Sequence, residues 1–239
     1  MTDKNKLLKF YNNLIKNPEL SRPERLMISN YIERSTKDEI TSVIGLSLDH
    51  LGLQTLPDSI VELKNLTYLN LANNEFKDFP KVIFELTSLE RLSLEYNHIT
   101  VIPEAICYLT NLKELNINHN KIQILPESIC ILSKLFCFQA SYNELISLPV
   151  SFGKNSSSKQ SLWDENPQIK IVLDHNKIAY LPSSMKSLPE IGEIHLEYNN
   201  LKNIPEWFFE IKCLVFLRGN PGFEEFRKKG WYEPQKLSV

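Results

Sequence analysis

Hydrophobic residues recur through most of this chain at a fixed interval of 23 positions. Two successive copies read Leu89-x-x-Leu92-x-Leu94-x-x-Asn97-x-Ile99-x-x-Ile102-Pro103-x-x-Ile106 and Leu112-x-x-Leu115-x-Ile117-x-x-Asn120-x-Ile122-x-x-Leu125-Pro126-x-x-Ile129. The Leu-x-Leu core alternates with period two, which is typical of a strand with one buried face. The spacing after the proline is helical, so it predicts a short helix or a 3₁₀ turn.

An asparagine and a proline keep the same interval. The asparagines are Asn74, Asn97, Asn120, Asn143, Asn176 and Asn199, and the prolines are Pro57, Pro80, Pro103, Pro126, Pro149, Pro182 and Pro205. The asparagine follows each strand, where its amide can both donate to and accept from backbone groups of the turn. Proline fixes φ where the chain turns onto the opposite side. The pattern predicts stacked coils with a ladder of buried asparagines.

This LxxLxLxxNxL pattern resembles the leucine-rich repeat family, over about residues 43–220. The 23-residue LPxxI variety is similar to that of Ras-suppressor-like intracellular proteins and of bacterial leucine-rich repeat proteins, including host-directed effectors. The resemblance implies an α/β leucine-rich repeat solenoid, a right-handed horseshoe with a parallel β-sheet on its concave face and a helical N-terminal cap.

Three segments follow from the pattern. Residues 1–40 are expected to form a helical cap, with a small helical adaptor as the alternative. Residues 41–220 hold about eight coils, and residues 221–239 form a C-terminal cap. The interval from Asn143 to Asn176 is 33 residues, which places a ten-residue insertion between 153 and 168. That insertion is either a binding loop or a tolerated loop whose Trp163 packs on its own coil.

Composition excludes several classes of protein. The net charge of −2 gives no overall basic field for nucleic acid. No run of apolar residues is long enough for a membrane span. Four cysteines make no disulfide framework, so free thiols are expected. The polar start of the chain is unlike a signal peptide, which predicts a cytoplasmic protein; the alternative is secretion by a specialised system without a classical signal.

No motif for catalysis or metal binding occurs, and we expect no catalytic residue, metal or cofactor. His50, His119 and His175 share one register of the repeat. These histidines fall on coils that are two or more strands apart, and each strand adds about 4.8 Å to the separation. The three side chains are therefore too far apart to bind one metal ion.

The concave sheet is the candidate binding surface. The position just before each ladder asparagine is almost always His or Tyr, which indicates either a binding row or a stack of rings that stiffens the sheet. Val172 and Phe216 are expected to be exposed apolar residues, with cover by the C-terminal segment as the alternative for Phe216. The predicted partner-binding residues are Tyr68, Arg91, Glu95, Tyr96, Asn118, His119, Gln139, Tyr142, Asp174, His175, His195, Glu197, Tyr198 and Phe216.

The sequence therefore predicts a monomeric, non-catalytic protein–protein interaction module. The repeats carry 15 basic and 20 acidic side chains, which weakly favours a protein partner with a basic patch. The alternative function is a bacterial effector that is delivered into a host cell and binds a host protein with the same surface.

Overall fold

The predicted strands pair side by side in chain order. A computed structural model of the chain describes residues 9–14, 16, 43–153, 169–188, 192–211 and 213–230. Within these ranges, eight strands form one parallel sheet in the order in which they occur. They are β1 (Gly45–Ser47), β2 (Tyr68–Asn70), β3 (Arg91–Ser93), β4 (Glu114–Asn116), β5 (Cys137–Gln139), β6 (Ile169–Val172), β7 (Gly192–His195) and β8 (Leu214–Phe216). The predicted α/β solenoid with a parallel sheet is confirmed. We number the coils 1 to 8 after their strands.

In six of the eight coils, the side opposite the sheet carries a 3₁₀ turn directly after the repeated proline. In the described part of the chain these turns are Asp58–Glu62, Lys81–Glu85, Glu104–Tyr108, Glu127–Ile131, Ser183–Ser187 and Glu206–Glu210. Pro103 caps one of them with φ −67°, and its carbonyl accepts the Ile106 N–H at 3.1 Å. Proline suits this position because a cap needs a fixed φ and no N–H. The predicted short helical turn is confirmed.

The ladder asparagines join each coil to the coil before it. The Nδ2 group of Asn120 donates to Leu94 O at 2.9 Å in coil 3 and to Ile117 O at 3.1 Å in its own coil. Its Oδ1 atom accepts the Ile99 N–H at 2.9 Å. The same pattern recurs from Asn74 to Asn220, and all seven amides are buried. Backbone groups that the turn would leave unpaired are therefore satisfied by side chains.

The core is one continuous cluster of the inward-facing leucines and isoleucines. Leu69, Leu92 and Leu115 lie opposite one another in adjacent strands, and each is almost fully buried. Because each coil contributes a single apolar layer, burial depends on the neighbouring coils.

The first coil is covered by a short helix. Residues 9–14 form helix α1, and Phe10, Tyr11 and Leu14 are buried in the same core as the repeats. Asn13 donates to Ser59 Oγ at 3.0 Å. The second predicted cap helix, beginning near Ser21, lies outside the described residues, so the complete helical cap stays a prediction.

At the other end, helix α2 (Phe223–Lys228) closes coil 8. Phe226 is 2% exposed, and its ring lies 4.6 Å from that of Phe209. Gly222 approaches coil 7 so closely that a Cβ there would be 2.2 Å from Lys202 O. The predicted contribution of Trp231 lies outside the described residues.

The insertion leaves the sheet register intact. Strands β5 and β6, which flank it, pair directly, with Phe138 opposite Ile171. Phe152, near the start of the insertion, is buried, while residues 154–168 lie outside the described part. The insertion in the sequence therefore does not separate strands β5 and β6.

Candidate functional site

Four rows of side chains face outward from the sheet, because the outward positions of each strand stack on those of its neighbours. The first row is Gly45, Tyr68, Arg91, Glu114, Cys137, Lys170, Glu193 and Leu214. The second is Ser47, Asn70, Ser93, Asn116, Gln139, Val172, His195 and Phe216. The third is Asp49, Ala72, Glu95, Asn118, Ser141, Asp174, Glu197 and Arg218, and the fourth is His50, Asn73, Tyr96, His119, Tyr142, His175, Tyr198 and Gly219.

Five rings of the fourth row form a continuous stack, which we call the ring column: Tyr96, His119, Tyr142, His175 and Tyr198. Successive centroids are 4.0, 4.4, 4.2 and 4.6 Å apart, and the planes differ by 9° to 28°. The expected ring stacking is therefore present. About half of the surface of each tyrosine is still exposed, so the ring edges remain accessible.

Every residue of this row up to Tyr198 has left-handed backbone, with φ between 52° and 57°. Such a conformation is uncommon for tyrosine and costs about 1–2 kcal/mol for an L-residue. It recurs because the turn into the ladder asparagine needs it at each coil. The asparagine bonds and the ring contacts offset this cost.

The ring column ends on a glycine. Gly219, with φ +79°, occupies the fourth-row position of coil 8, and a Cβ there would lie 2.5 Å from Cδ1 of Tyr198. The Tyr198 ring therefore packs directly over the Gly219 backbone, where no side chain could fit.

Hydrogen bonds tie the second and third rows together. Asn116 donates to Glu95 Oε2 at 2.9 Å, and Asn118 Oδ1 accepts the Ser141 N–H at 2.7 Å. Ser141 Oγ donates to Asp174 Oδ1 at 2.5 Å, and Asp174 Oδ2 lies 2.8 Å from His175 Nδ1. Coils 3 to 6 thus hold their polar side chains in fixed positions, which lowers the entropy lost when a ligand binds.

In coil 7, one histidine lies between two carboxylates. His195 Nδ1 is 3.4 Å from Glu197 Oε1, and His195 Nε2 is 3.3 Å from Glu193 Oε2. The hydrogen bond with Glu197 raises the pKa of His195, Glu193 adds to the rise, and burial opposes it. The second oxygen of Glu197 is buried without a hydrogen-bond partner among the described residues.

The expected exposure of Phe216 is wrong. The residue is only 7% exposed, and one face of its ring stacks on His195 at 4.6 Å between centroids and 12° between planes. The alternative expectation, cover by the C-terminal segment around Trp231, concerns residues outside the described part. Val172, the other expected apolar residue, is half-buried rather than fully exposed. At this end of the sheet the Glu193 side chain, which is 38% exposed, is more accessible than the phenyl ring.

The predicted binding residues lie on one face but do not form a single cluster. Arg91 and Tyr68 contact each other at the N-terminal end, with the guanidinium carbon 5.6 Å from the ring centroid. Glu95, Asn118, Gln139 and the ring column occupy the middle coils, and the His195 group lies at the C-terminal end.

Several polar residues of the outward rows were missing from the predicted set, among them Glu114, Asn116, Ser141 and Glu193. Each of these four residues lies in an outward row that also holds a predicted binding residue. The 23-residue interval was therefore enough to identify them from the sequence. The left-handed backbone of the fourth row had no counterpart in the prediction.

The cysteines are free thiols, as expected. Burial raises the pKa of Cys130 and of Cys213 to about 11, so both thiols are protonated at neutral pH. Among the described residues, no three His, Cys, Asp or Glu side chains are grouped as metal ligands would be. In the same residues, no helix has both the length and the apolar character that crossing a membrane requires.

The family model described as "Leucine rich repeat" matches residues 45–99 and 87–145. The chain has the leucine-rich repeat fold. No curated protein sequence matches it.

Several solved leucine-rich repeat structures are similar to this solenoid. A leucine-rich repeat protein from Leptospira interrogans is 30% identical with a TM-score of 0.60, and the match covers 74% of this chain and 49% of that one. A TLR13 complex with single-stranded RNA is 28% identical with a TM-score of 0.60, over 74% of this chain and 25% of the receptor. The plant peptide hormone receptor RGFR1, in complex with RGF2, is 27% identical with a TM-score of 0.60, over 74% and 28%.

This chain spans about half the length of the Leptospira protein and about a quarter of each receptor. The likeness therefore covers only part of each of those proteins.

Proposed function

We propose that the protein is a non-catalytic interaction module that binds a protein partner through its concave leucine-rich repeat sheet. The observation that carries the proposal is the ring column beside hydrogen-bonded polar rows on one open sheet. Half-exposed tyrosines that are already immobilised lose little entropy on binding and supply large contact areas. One of the similar solved structures is named as a plant peptide hormone receptor in complex with RGF2, and another as a complex with single-stranded RNA, which supports a binding role for such a surface.

The charge of the face favours a basic protein segment over nucleic acid. The four outward rows hold six carboxylates, Asp49, Glu95, Glu114, Asp174, Glu193 and Glu197, against three basic side chains, Arg91, Lys170 and Arg218. This excess of negative charge repels a phosphate backbone and attracts lysine and arginine side chains. We expect binding to weaken as salt is raised.

We propose that the repeats are of the 23-residue LPxxI type, similar to those of Ras-suppressor-like intracellular proteins. We also propose a cytoplasmic location for the protein. The proline cap of every described 3₁₀ turn supports the type.

The test compares three forms of the chain in affinity capture from native host cells with mass spectrometry. The first is the unaltered chain, and the second replaces Tyr96, Tyr142 and Tyr198 by alanine. The third is a matched control, Tyr108→Ala, which removes a tyrosine that is 62% exposed on a 3₁₀ turn. We expect the triple variant to lose a partner that the other two retain. Circular dichroism melting confirms that each form is folded.

Equal partner recovery by the folded triple variant would overturn the assignment of this surface. A further form, with Glu193 and Glu197 replaced by glutamine, tests the charge preference separately. It should weaken capture of a basic partner while leaving the ring column in place.

The alternative function is a bacterial effector that uses the same face on a host protein. The similarity to a leucine-rich repeat protein of Leptospira interrogans is what supports a bacterial relationship. A translocation reporter fused to the chain tests it, and absence of the reporter from host cells during infection would remove this alternative.

A further inference from the structure

The His195 ring is held in place near the C-terminal end of the concave sheet. Val172 and Phe216 occupy the same row on the two adjacent strands. The Phe216 ring stacks on the imidazole at 4.6 Å between centroids, and only 15% of the His195 side chain is exposed. Both ring nitrogens therefore stay directed at the same two side chains.

Those two side chains are carboxylates that differ in their surroundings. His195 Nδ1 lies 3.4 Å from Glu197 Oε1, and His195 Nε2 lies 3.3 Å from Glu193 Oε2. The Glu193 side chain is 38% exposed and that of Glu197 is 22% exposed. The other oxygen of Glu197 is buried without a hydrogen-bond partner among the described residues. Losing the bond to the ring would therefore cost Glu197 more than Glu193, which water can reach.

Protonation decides how many of these bonds the ring can make. A charged imidazolium donates from both nitrogens, whereas a neutral imidazole carries one N–H. Charged His195 can therefore hold both carboxylates, and neutral His195 can hold one. Because Glu197 has the greater need of a donor, the neutral ring keeps its proton on Nδ1 and releases Glu193. The bond to Glu197 is also stronger when the ring is charged, which agrees with Glu197 being the larger cause of the raised pKa of His195.

Other titratable or charged groups face this cluster. They are Lys170, Asp174 and His175 of coil 6, Tyr198 of coil 7 and Arg218 of coil 8. Histidine is the side-chain type among them that changes charge between pH 5.5 and 8.5. His175 Nδ1 lies 2.8 Å from Asp174 Oδ2, so its titration acts on that carboxylate first. Within this pH range, Glu193 therefore responds to His195.

We propose that His195 controls whether Glu193 is available to a lysine or arginine side chain of a protein partner. The inference rests on the proposed binding role of the concave face. At low pH the charged ring holds both carboxylates and cancels one of their two negative charges. At high pH Glu193 is released and the full charge remains, so a basic segment binds more tightly. By linkage, a bound basic segment lowers the pKa of His195.

The experiment uses N-acetylated pentalysine amide as the probe and the full chain at constant ionic strength. Lysine side chains of the probe are charged at both pH 5.5 and pH 8.5. We expect binding to be about three- to fivefold tighter at pH 8.5. In NMR titrations, the probe should move the His195 midpoint to lower pH. Nitrogen shifts of the unbound chain at pH 8.5 should place the imidazole proton on Nδ1.

Three variants assign the effect to these residues. His195→Gln should bind pentalysine equally at the two pH values. Glu193→Gln should bind it weakly at both, because the released carboxylate is gone. His98→Gln is the matched control: it removes an exposed histidine that follows a ladder asparagine, outside the four outward rows, and it should keep the pH dependence. If His195→Gln does not fold, the midpoint of the unaltered chain still decides the question.

Several results would overturn the proposal. They are equal affinity of the unaltered chain at both pH values, a pH dependence that folded His195→Gln retains, a His195 midpoint that bound pentalysine leaves unchanged, and no binding of pentalysine at either pH. A proton on Nε2 of the neutral ring would show that Glu193 is not the released carboxylate. The proposed function fails separately, if the folded triple tyrosine variant keeps its captured partner.

Discussion

His119 and Tyr142 lie one coil apart and stack with 4.4 Å between ring centroids and 9° between planes, although both have left-handed backbone. The backbone cost of about 1–2 kcal/mol per residue is similar in size to the gain of about 0.5–1.5 kcal/mol per ring contact. The two features therefore compensate each other along the ring column. Asn73 adopts the same backbone without a ring, so the turn imposes the conformation and the ring contacts offset part of its cost.

Replacement of Tyr142 tests this balance. Tyr142→Ala removes two ring contacts and keeps a strained φ of 53°, so we expect a loss of about 2 kcal/mol in unfolding free energy. Tyr142→Gly removes the same contacts but relieves the strain, and it should be the more stable of the two. Urea unfolding of both variants measures the difference.

The control for that comparison is Tyr180, which is 77% exposed and has no positive φ. At this position the Tyr180→Gly variant should be less stable than Tyr180→Ala, because glycine is usually less stable than alanine in extended backbone. If the alanine variant were the more stable at both Tyr142 and Tyr180, the left-handed backbone at Tyr142 would not carry the expected strain, and the compensation between strain and ring contacts would be contradicted.

Asn199 tests the ladder. Its Oδ1 accepts the Ile178 N–H at 3.0 Å, and its Nδ2 donates to Leu173 O at 2.9 Å. Asn199→Ala leaves buried backbone groups without partners, so we expect a loss of about 3 kcal/mol. The neighbouring Asn200 is exposed, and Asn200→Ala should change stability by less than about 0.5 kcal/mol. Equal losses for the two variants would exclude the ladder as the cause.

His195 should make stability depend on pH. Its folded-state pKa is raised, mainly by the hydrogen bond with Glu197 and further by Glu193. The stabilisation is therefore fully present below the unfolded-state pKa and is lost as pH rises through the folded-state pKa. The difference in Tm between the unaltered chain and His195→Gln should be larger at pH 5 than at pH 8.5.

The imidazole titration can be followed directly by NMR. Glu197→Gln should move the His195 midpoint to lower pH, with a smaller movement for Glu193→Gln, because Glu197 is the larger cause. An unchanged midpoint in both variants would show that the carboxylates do not act on this ring.

Gly222 tests the C-terminal closure. Gly222→Ala would place Cβ 2.2 Å from Lys202 O, so helix α2 must shift, at a cost of about 2 kcal/mol. In the variant, hydrogen exchange should quicken at the amide of position 222, which in the unaltered chain donates to Leu201 O at 2.8 Å. At Gly45 a Cβ would make only an ordinary contact at 3.6 Å with Tyr68, so Gly45→Ala serves as the control and should leave exchange unchanged.

The repeat interval alone predicted the strands, the ladder and the 3₁₀ turns, because each depends on contacts that one coil makes with the next. Asn220 illustrates this: although it follows Asn199 by 21 residues, it donates to Leu196 O at 2.8 Å as the other ladder amides do. Local residue type and spacing are enough for such positions.

The candidate site was less predictable. The left-handed backbone before each asparagine is imposed by the turn, and tyrosine does not favour it. Phe216 shows the second difficulty: alternation marks it as outward-facing, but its ring is hidden against His195 of the preceding strand. Outward direction and exposure are different properties when large rings stack.

The ladder gives the solenoid a polarity along its axis. Each asparagine accepts an N–H from the coil before it and donates to that coil's strand. Asn143 Oδ1 accepts the Ile122 N–H, and Asn143 Nδ2 donates to Ile117 O. A chain shortened from the C-terminal end thus loses the amide that completes its new last coil. A chain shortened from the N-terminal end loses no amide that its remaining coils need. Its first remaining asparagine instead has hydrogen-bonding groups without partners, which can bind water. Growth of such an array by duplication is therefore easiest at internal junctions, where a new coil receives an asparagine from its successor and supplies one to its predecessor.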